Sequence, residues 1–198
     1  TTLVSVAVSF ALLLVAGVRP RILGVLAVVA VIGTTVVLTS GVLKDYQKAR
    51  LGTFLTQDDR ASDEQDQESR YNLEQAKLAI GSGGPTGKGL FNGPQTRLRI
   101  VPEQRTDFIF TAVGEQLGFV GAGGLLTVLA VIVWRVWRAA QLARDDFGML
   151  LCTGIMVMLV VQIFENVGMT MGIMPITGIP LPFVSYGGSA LLTAFVSM

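Results

Sequence analysis

Uncharged apolar runs alternate with short basic connections along most of the chain, and one long charged stretch interrupts them. Residues 1–18 and 22–43 carry no charge, residues 108–133 carry only Glu115, and residues 147–164 carry none. Residues 166–198 are also uncharged but contain Pro175, Pro180 and Pro182. Crossing a bilayer takes roughly 20 mostly apolar residues, and helices suit the task because lipid satisfies no backbone polar group. The pattern predicts an all-α polytopic membrane protein, a helical bundle forming a single membrane domain over residues 1–198. Its spans are expected near 1–18, 22–43, 108–133, 147–170 and 184–198, with a long extracellular loop over 44–107. The Pro/Gly-rich stretch near 174–186 reads as a re-entrant segment. The first run lacks the basic start and cleavage site of a signal peptide. A first residue other than Met, and a last residue inside an apolar run, predict a piece of a longer membrane protein.

Composition agrees with the pattern. Of 198 residues, 51% are hydrophobic and 15% charged, whereas soluble domains carry about 25% charged residues. Histidine is absent and Cys152 is the single cysteine, which excludes His-based catalysis, intrachain disulfides and Cys-cluster metal sites. The net charge of +1 gives no field favouring nucleic acid. Arg19 and Arg21 in the first connection lie two spans from Arg135, Arg138 and Arg144, hence on the same side. The positive-inside rule makes that side cytoplasmic, and Trp134 and Trp137 suit the interfacial belt beside it. The long charged loop then faces outward.

That loop holds most of the charge: ten of the 15 Lys/Arg and nine of the 14 Asp/Glu fall within residues 44–105. Residues 57–70 (QDDRASDEQDQESR) contain no apolar residue except Ala61 and read as solvated and mobile. Residues 44–55 suit a short interfacial helix. Leu73, Ala76, Lys77 and Ile80 at helical spacing predict an amphipathic piece over 71–80. The turn-rich run GSGGPTGKGLFNGPQ follows, from Gly81 to Gln95. It is not a P-loop, because Gly89 follows Lys88 where Ser or Thr is required. Two readings stay open for it: a plain flexible loop, or a backbone cradle for a phosphorylated ligand with Lys88 supplying charge.

Arg97, Arg99, Glu103, Arg105 and Asp107 crowd the end of the loop, directly before an apolar helix. Thr106 or Asp107 can cap that helix through a side-chain oxygen. Alternatively, Asp107 is a carboxylate at the membrane surface among cations that hold an anionic lipid head group. So placed it can act as general base, and the arginines favour its ionised form. Glu115 and Glu165 interrupt apolar helices, where a charge near the bilayer centre costs at least ~2.5–3.5 kcal/mol. Glu115 reads as lining a polar cavity under the surface site, and Glu165 as interfacial.

Three segments carry a family resemblance: AIGSGGPTGKGLFNGPQTRL from Ala79, VPEQRTDFIFTAVGEQLGFVG from Val101, and GIMPITGIPLPFVSYGGSALL from Gly172. Together with LKDYQKARLGTFL from Leu43 they resemble the SEDS family, the RodA and FtsW type of peptidoglycan glycosyltransferase, and more closely its RodA (elongation) type. The resemblance implies ten membrane helices, of which this chain supplies the C-terminal half. It implies a plasma-membrane enzyme that polymerises lipid II on the extracytoplasmic side, with Asp107, the Asp of TDFIF, as general base. Undecaprenyl pyrophosphate leaves, and Lys88, Arg97, Arg105 and Glu115 are the expected substrate-binding residues. No protein metal ligand is expected, although a divalent cation, Mg or Mn, can assist the pyrophosphate. The implied partner is a class B penicillin-binding protein, a transpeptidase. One position departs from the family pattern: Arg105 stands where His often precedes Thr-Asp, so proton handling by that His does not carry over.

Two other function classes describe similar features: a lipid II flippase with an intramembrane Glu115, and a non-catalytic scaffold for a cell-wall synthase. The enzyme reading is favoured because the best-placed carboxylate lies at the outer surface and the inner halves of the spans carry few polar groups.

Overall fold

The computed structural model describes residues 2–17, 20–39, 64–94, 106–174, 176–186 and 195. Among them are five α-helices and no strand: α1 (Thr2–Val15), α2 (Pro20–Thr39), α3 (Glu64–Gly83), α4 (Ile109–Leu142) and α5 (Asp146–Met171). α1 falls within the first apolar run, and α2 starts two residues before the second and otherwise lies within it. α2 opens on Pro20, whose missing N–H is one that a first helical position leaves unbonded anyway. Both are rich in valine, a poor helix former in water. In an apolar surround the backbone must bond internally, and helix is the only local way to do so.

α4 and α5 are the two described helices long and apolar enough to cross a membrane. α5 stops at Gly172, whose φ of 76° is left-handed. The N–H of Gly172 then donates to the Met169 carbonyl at 3.1 Å, and that of Ile173 to the Gly168 carbonyl at 2.8 Å. This is a glycine-terminated helix end with its last carbonyls satisfied.

α4 is not the continuous helix expected over 108–133. Gly118 sits inside it at φ 66°, ψ −164°, so the helix is broken there. Below the break, residues 119–134 are uncharged and reach ~24 Å at 1.5 Å per residue, most of a hydrocarbon core of about 30 Å, before Arg135 and Arg138. Glu115 therefore belongs to the upper piece, towards the Asp107 end, and not to the bilayer centre.

α5 packs against α1 and α4, and α3 packs against α4 and α5. Gly154 on α5 admits α1: a Cβ there would lie 3.5 Å from Leu12 and 3.9 Å from Val8. Where α3 meets the start of α4, Ala76 and Phe108 are buried together with Ile176 packed on them. α3 begins earlier than the amphipathic pattern at 71–80 indicates. Residues 64–70, read as solvated and mobile, are its first two turns; Glu, Gln and Arg are good helix formers, and propensity decides where packing does not. Residues 57–63 and the expected helix at 44–55 lie outside the described residues. Val184, Ser185 and Tyr186, expected to start a last span, lie in turns.

An apolar groove of about 680 Å³ runs between α4 and α5, lined by Leu126, Trp134, Trp137, Met156, Val160 and Phe164 among others. It extends from Trp134 and Trp137 on α4 to Phe164 and Val167 at the upper end of α5, beside Asn166, and its lining holds no ionisable side chain.

Candidate functional site

Asp107 sits one residue before the N-cap of α4. That N-cap is Phe108, which has no side-chain oxygen and makes no cap bond. The first turn is tightened instead by Thr111, whose N–H and Oγ1 both donate to the Phe108 carbonyl, at 3.1 Å and 2.6 Å. Phe108 is 4% exposed, so its burial anchors the backbone on which Asp107 rides.

Two elements distant in sequence fix Asp107. The first is Asn166, fully buried on α5. Its Nδ2 donates to the Asp107 carbonyl at 2.8 Å and to the Ile179 carbonyl at 2.8 Å. One amide group thus ties the start of α4 to the segment after α5. The second is Gly178, at φ 68°; a Cβ there would lie 2.9 Å from Asp107 Oδ2. The carboxylate rests against bare backbone that only glycine provides at that φ. Further along, Ser185 Oγ accepts from the Leu181 N–H at 2.7 Å while the Ser185 N–H donates back to the Leu181 carbonyl at 3.0 Å. Leu181 is 1% exposed, so this part of the Pro/Gly-rich segment is closed and held from within.

Glu115 requires a correction. It is fully buried, and a Cβ on Gly93 would lie 2.6 Å from its Oε2. The loop backbone covers the carboxyl, so in this conformation Glu115 is a wall of the site and offers no surface to a substrate. Glu165, beside Asn166 near the outer end of α5, is 2% exposed, and its Oε2 has no hydrogen-bond partner among the described residues. Lys88 is exposed on the loop. Arg97 and Arg105 lie outside the described residues.

The glycine-rich loop is not a free backbone cradle. The Gly87 N–H donates to the Gly83 carbonyl at 2.9 Å, that of Lys88 to the Glu115 carbonyl at 3.1 Å, and that of Gly89 to the Gln116 carbonyl at 3.0 Å. Three successive amides are thus already engaged within the protein, while the Lys88 side chain stays exposed. Among the described residues no group of three or more His, Cys, Asp or Glu could hold a metal ion.

Sequence alone assigns no role at the site to Asn166 or Gly178, and places Lys77 only in the amphipathic pattern of 71–80. For Asn166 a signal existed, because an amide inside an apolar helix must find partners. Lys77 lies across the end of α5, where a Cβ on Gly172 would stand 2.6 Å from its Nζ. A cation there suits the negative end of the helix dipole.

The family pattern of FtsW, RodA and SpoVE, described as cell cycle protein, matches residues 1–198. Peptidoglycan glycosyltransferase MrdB of Escherichia coli is 42% identical over 181 residues, covering 91% of this chain and 47% of the relative. Peptidoglycan glycosyltransferase RodA of Treponema pallidum is 40% identical over 156 residues, covering 79% and 35%. A solved structure, described as structural coordination of polymerization and crosslinking by a peptidoglycan synthase complex, superposes with a TM-score of 0.69 at 28% identity. It covers 98% of this chain and 51% of that one. The chain spans about half the length, or less, of these curated relatives. Because the family match runs along all 198 residues, through the Asp107 segment and the turn that seats it, the chain belongs to the FtsW/RodA/SpoVE family, all-α membrane proteins, and resembles its RodA branch.

Proposed function

We propose that the protein of which this chain is part is a peptidoglycan glycosyltransferase that polymerises lipid II during cell elongation, with Asp107 as general base. The observation that carries the reading is the seating of Asp107: its carboxylate lies against Gly178 and its carbonyl is tied by Asn166, at the mouth of a membrane-long helix. A base must be held in place before its basicity counts. In the step proposed, Asp107 takes the proton of an acceptor sugar hydroxyl. The hydroxyl oxygen bonds to the anomeric carbon of the donor, whose bond to the pyrophosphate oxygen breaks. Undecaprenyl pyrophosphate departs with the bonding pair, and cations such as Lys88, Arg97 and Arg105 stabilise the charge that develops on it.

The basic residues at the far end of α4, Arg135 and Arg138, support an orientation with that end in the cytoplasm. Asp107 then faces the extracytoplasmic side of the bacterial plasma membrane. A class B penicillin-binding protein is the proposed partner, in keeping with the synthase complex among the similar structures.

The test uses the full-length protein, purified and reconstituted with lipid II, with glycan products separated on a gel. Asp107→Asn preserves the backbone tie to Asn166 and should lose about 100- to 10,000-fold in rate, the usual share of a general base. Glycan made at near the wild-type rate would refute the base. Transbilayer movement of lipid II without any glycan product would favour a flippase.

A further inference from the structure

The break in α4 and the glycine-rich loop fit each other bond for bond. In an unbroken helix the N–H groups of Phe119 and Val120 donate to the carbonyls of Glu115 and Gln116, four residues back. Gly118 opens those two bonds, and the loop replaces both. The Phe119 N–H donates to the Gly84 carbonyl at 2.9 Å and that of Val120 to the Pro85 carbonyl at 3.1 Å. The freed carbonyls of Glu115 and Gln116 accept from Lys88 at 3.1 Å and Gly89 at 3.0 Å. Four backbone groups opened by the break meet four from the loop.

Glycine makes the exchange possible. Gly83 lies against the backbone of Gly114 and Gly87 against that of Gln116, each so close that a Cβ would collide. A Cβ on Gly118 would strike Gly87 and lie 2.8 Å from the Gly84 and Pro85 carbonyls. Gly87, at φ 79°, and Gly118, at φ 66°, both occupy left-handed backbone. Simple tolerance of a helix break requires only that the opened groups find partners. Here the partner strand also bears Lys88, whose own N–H is one of the four bonds while its side chain stays exposed.

We infer that this glycine exchange is a positioning device: it locks the backbone of Lys88 to the upper piece of α4, the piece that begins next to Asp107, and so fixes where the ammonium meets a phosphate-bearing substrate. Gly87 and Gly118 are its positioning residues, acting through Lys88. The inference rests on the glycosyltransferase reading and deepens it. The exchange is a rigid link between the general base and the cation that meets the leaving group.

The experiment measures KM and kcat for lipid II with the full-length reconstituted protein, per folded molecule, in Lys88→Ala, Gly87→Ala, Gly118→Ala and the double variants with Lys88→Ala. Gly89→Ala, where the nearest atom to a Cβ is the Asn92 amide nitrogen at 3.4 Å, is the milder version should the others fold poorly. Gly81→Ala, with nothing within 4 Å of its Cβ, is the control. Lys88→Ala should raise KM about tenfold, as expected for one lost charge-assisted contact. The glycine variants should raise KM to a similar degree, adding Lys88→Ala to them should change little more, and Gly81→Ala should match wild type.

If Lys88→Ala raises KM while the glycine variants leave it unchanged, the positioning inference is wrong and the phosphate role of Lys88 stands. A multiplicative double variant, or an equal effect of Gly81→Ala, would also overturn the inference. An unchanged KM in Lys88→Ala removes the phosphate role and the inference together. Absence of any glycan from wild type, under conditions where MrdB makes it, removes the underlying function.

Discussion

Asp107 and Asn166 show how one side chain can govern another without touching substrate. Asn166 offers a single NH₂, and both of its hydrogens go to backbone carbonyls from different segments. Asn166→Asp keeps the shape and replaces the donor by an acceptor facing two acceptors. A buried group left unsatisfied costs about 1–3 kcal/mol, so the variant should melt earlier. Among molecules that fold, kcat should fall on the order of 100-fold, because small displacements of a reacting group are costly, with KM little changed. Folded Asn166→Asp with wild-type kcat would show that the tie is structural only. The sequence made Asp107 visible because an acid followed by a long apolar run is conspicuous. Asn166 was equally conspicuous by type, but its two targets are main-chain atoms, which no sequence pattern names. Gly178 was hidden for the same reason: what counts there is a missing Cβ beside a carboxylate 71 positions away in the sequence.

At the scale of elements, α1, α2, α4 and α5 were legible from apolar length, and their irregularities were not. Gly118 is one of several glycines between Gly114 and Gly124, and nothing local separates it from the rest. Its break exists because a loop some 30 residues earlier supplies the opened bonds. The start of α3 was obscured in a different way, since an acidic, polar run is compatible with a solvated chain and with a surface helix. The end of α5 was readable in principle, because Gly172 follows the last apolar turn. That end supplies a stability test. A Cβ in Gly172→Ala would collide with the flexible tip of Lys77 alone and reach ordinary contact with Leu73 at 3.5 Å, so its cost should come from the left-handed backbone, about 1–2 kcal/mol. Gly172→Asn, which tolerates that conformation better, should cost less. Thermal unfolding of the full-length protein in detergent measures both. Equal midpoints for Gly172→Ala and wild type would mean that the end of α5 relaxes freely.

For the whole molecule, the described part of the long loop is a folded component of the site. α3 packs on both α4 and α5, and its last residue, Gly83, leads directly into the exchange that holds Lys88. A partner bearing on α3 would therefore act on the cation and, through the upper piece of α4, on the general base. Binding would stabilise one arrangement of preformed parts and shift the population towards it. On this argument the proposed transpeptidase should stimulate glycan synthesis even when its own serine is inactivated, because its contribution is conformational. Co-reconstitution of the full-length protein with that inactivated partner measures the effect. The stimulation should be smaller in Gly118→Ala, where α3 and α4 are no longer joined bond for bond, than in Asp107→Glu, where the joint is intact and only the base is altered. If the partner changes nothing in wild type, or stimulates both variants by the same factor, α3 is not the route by which the partner reaches the site.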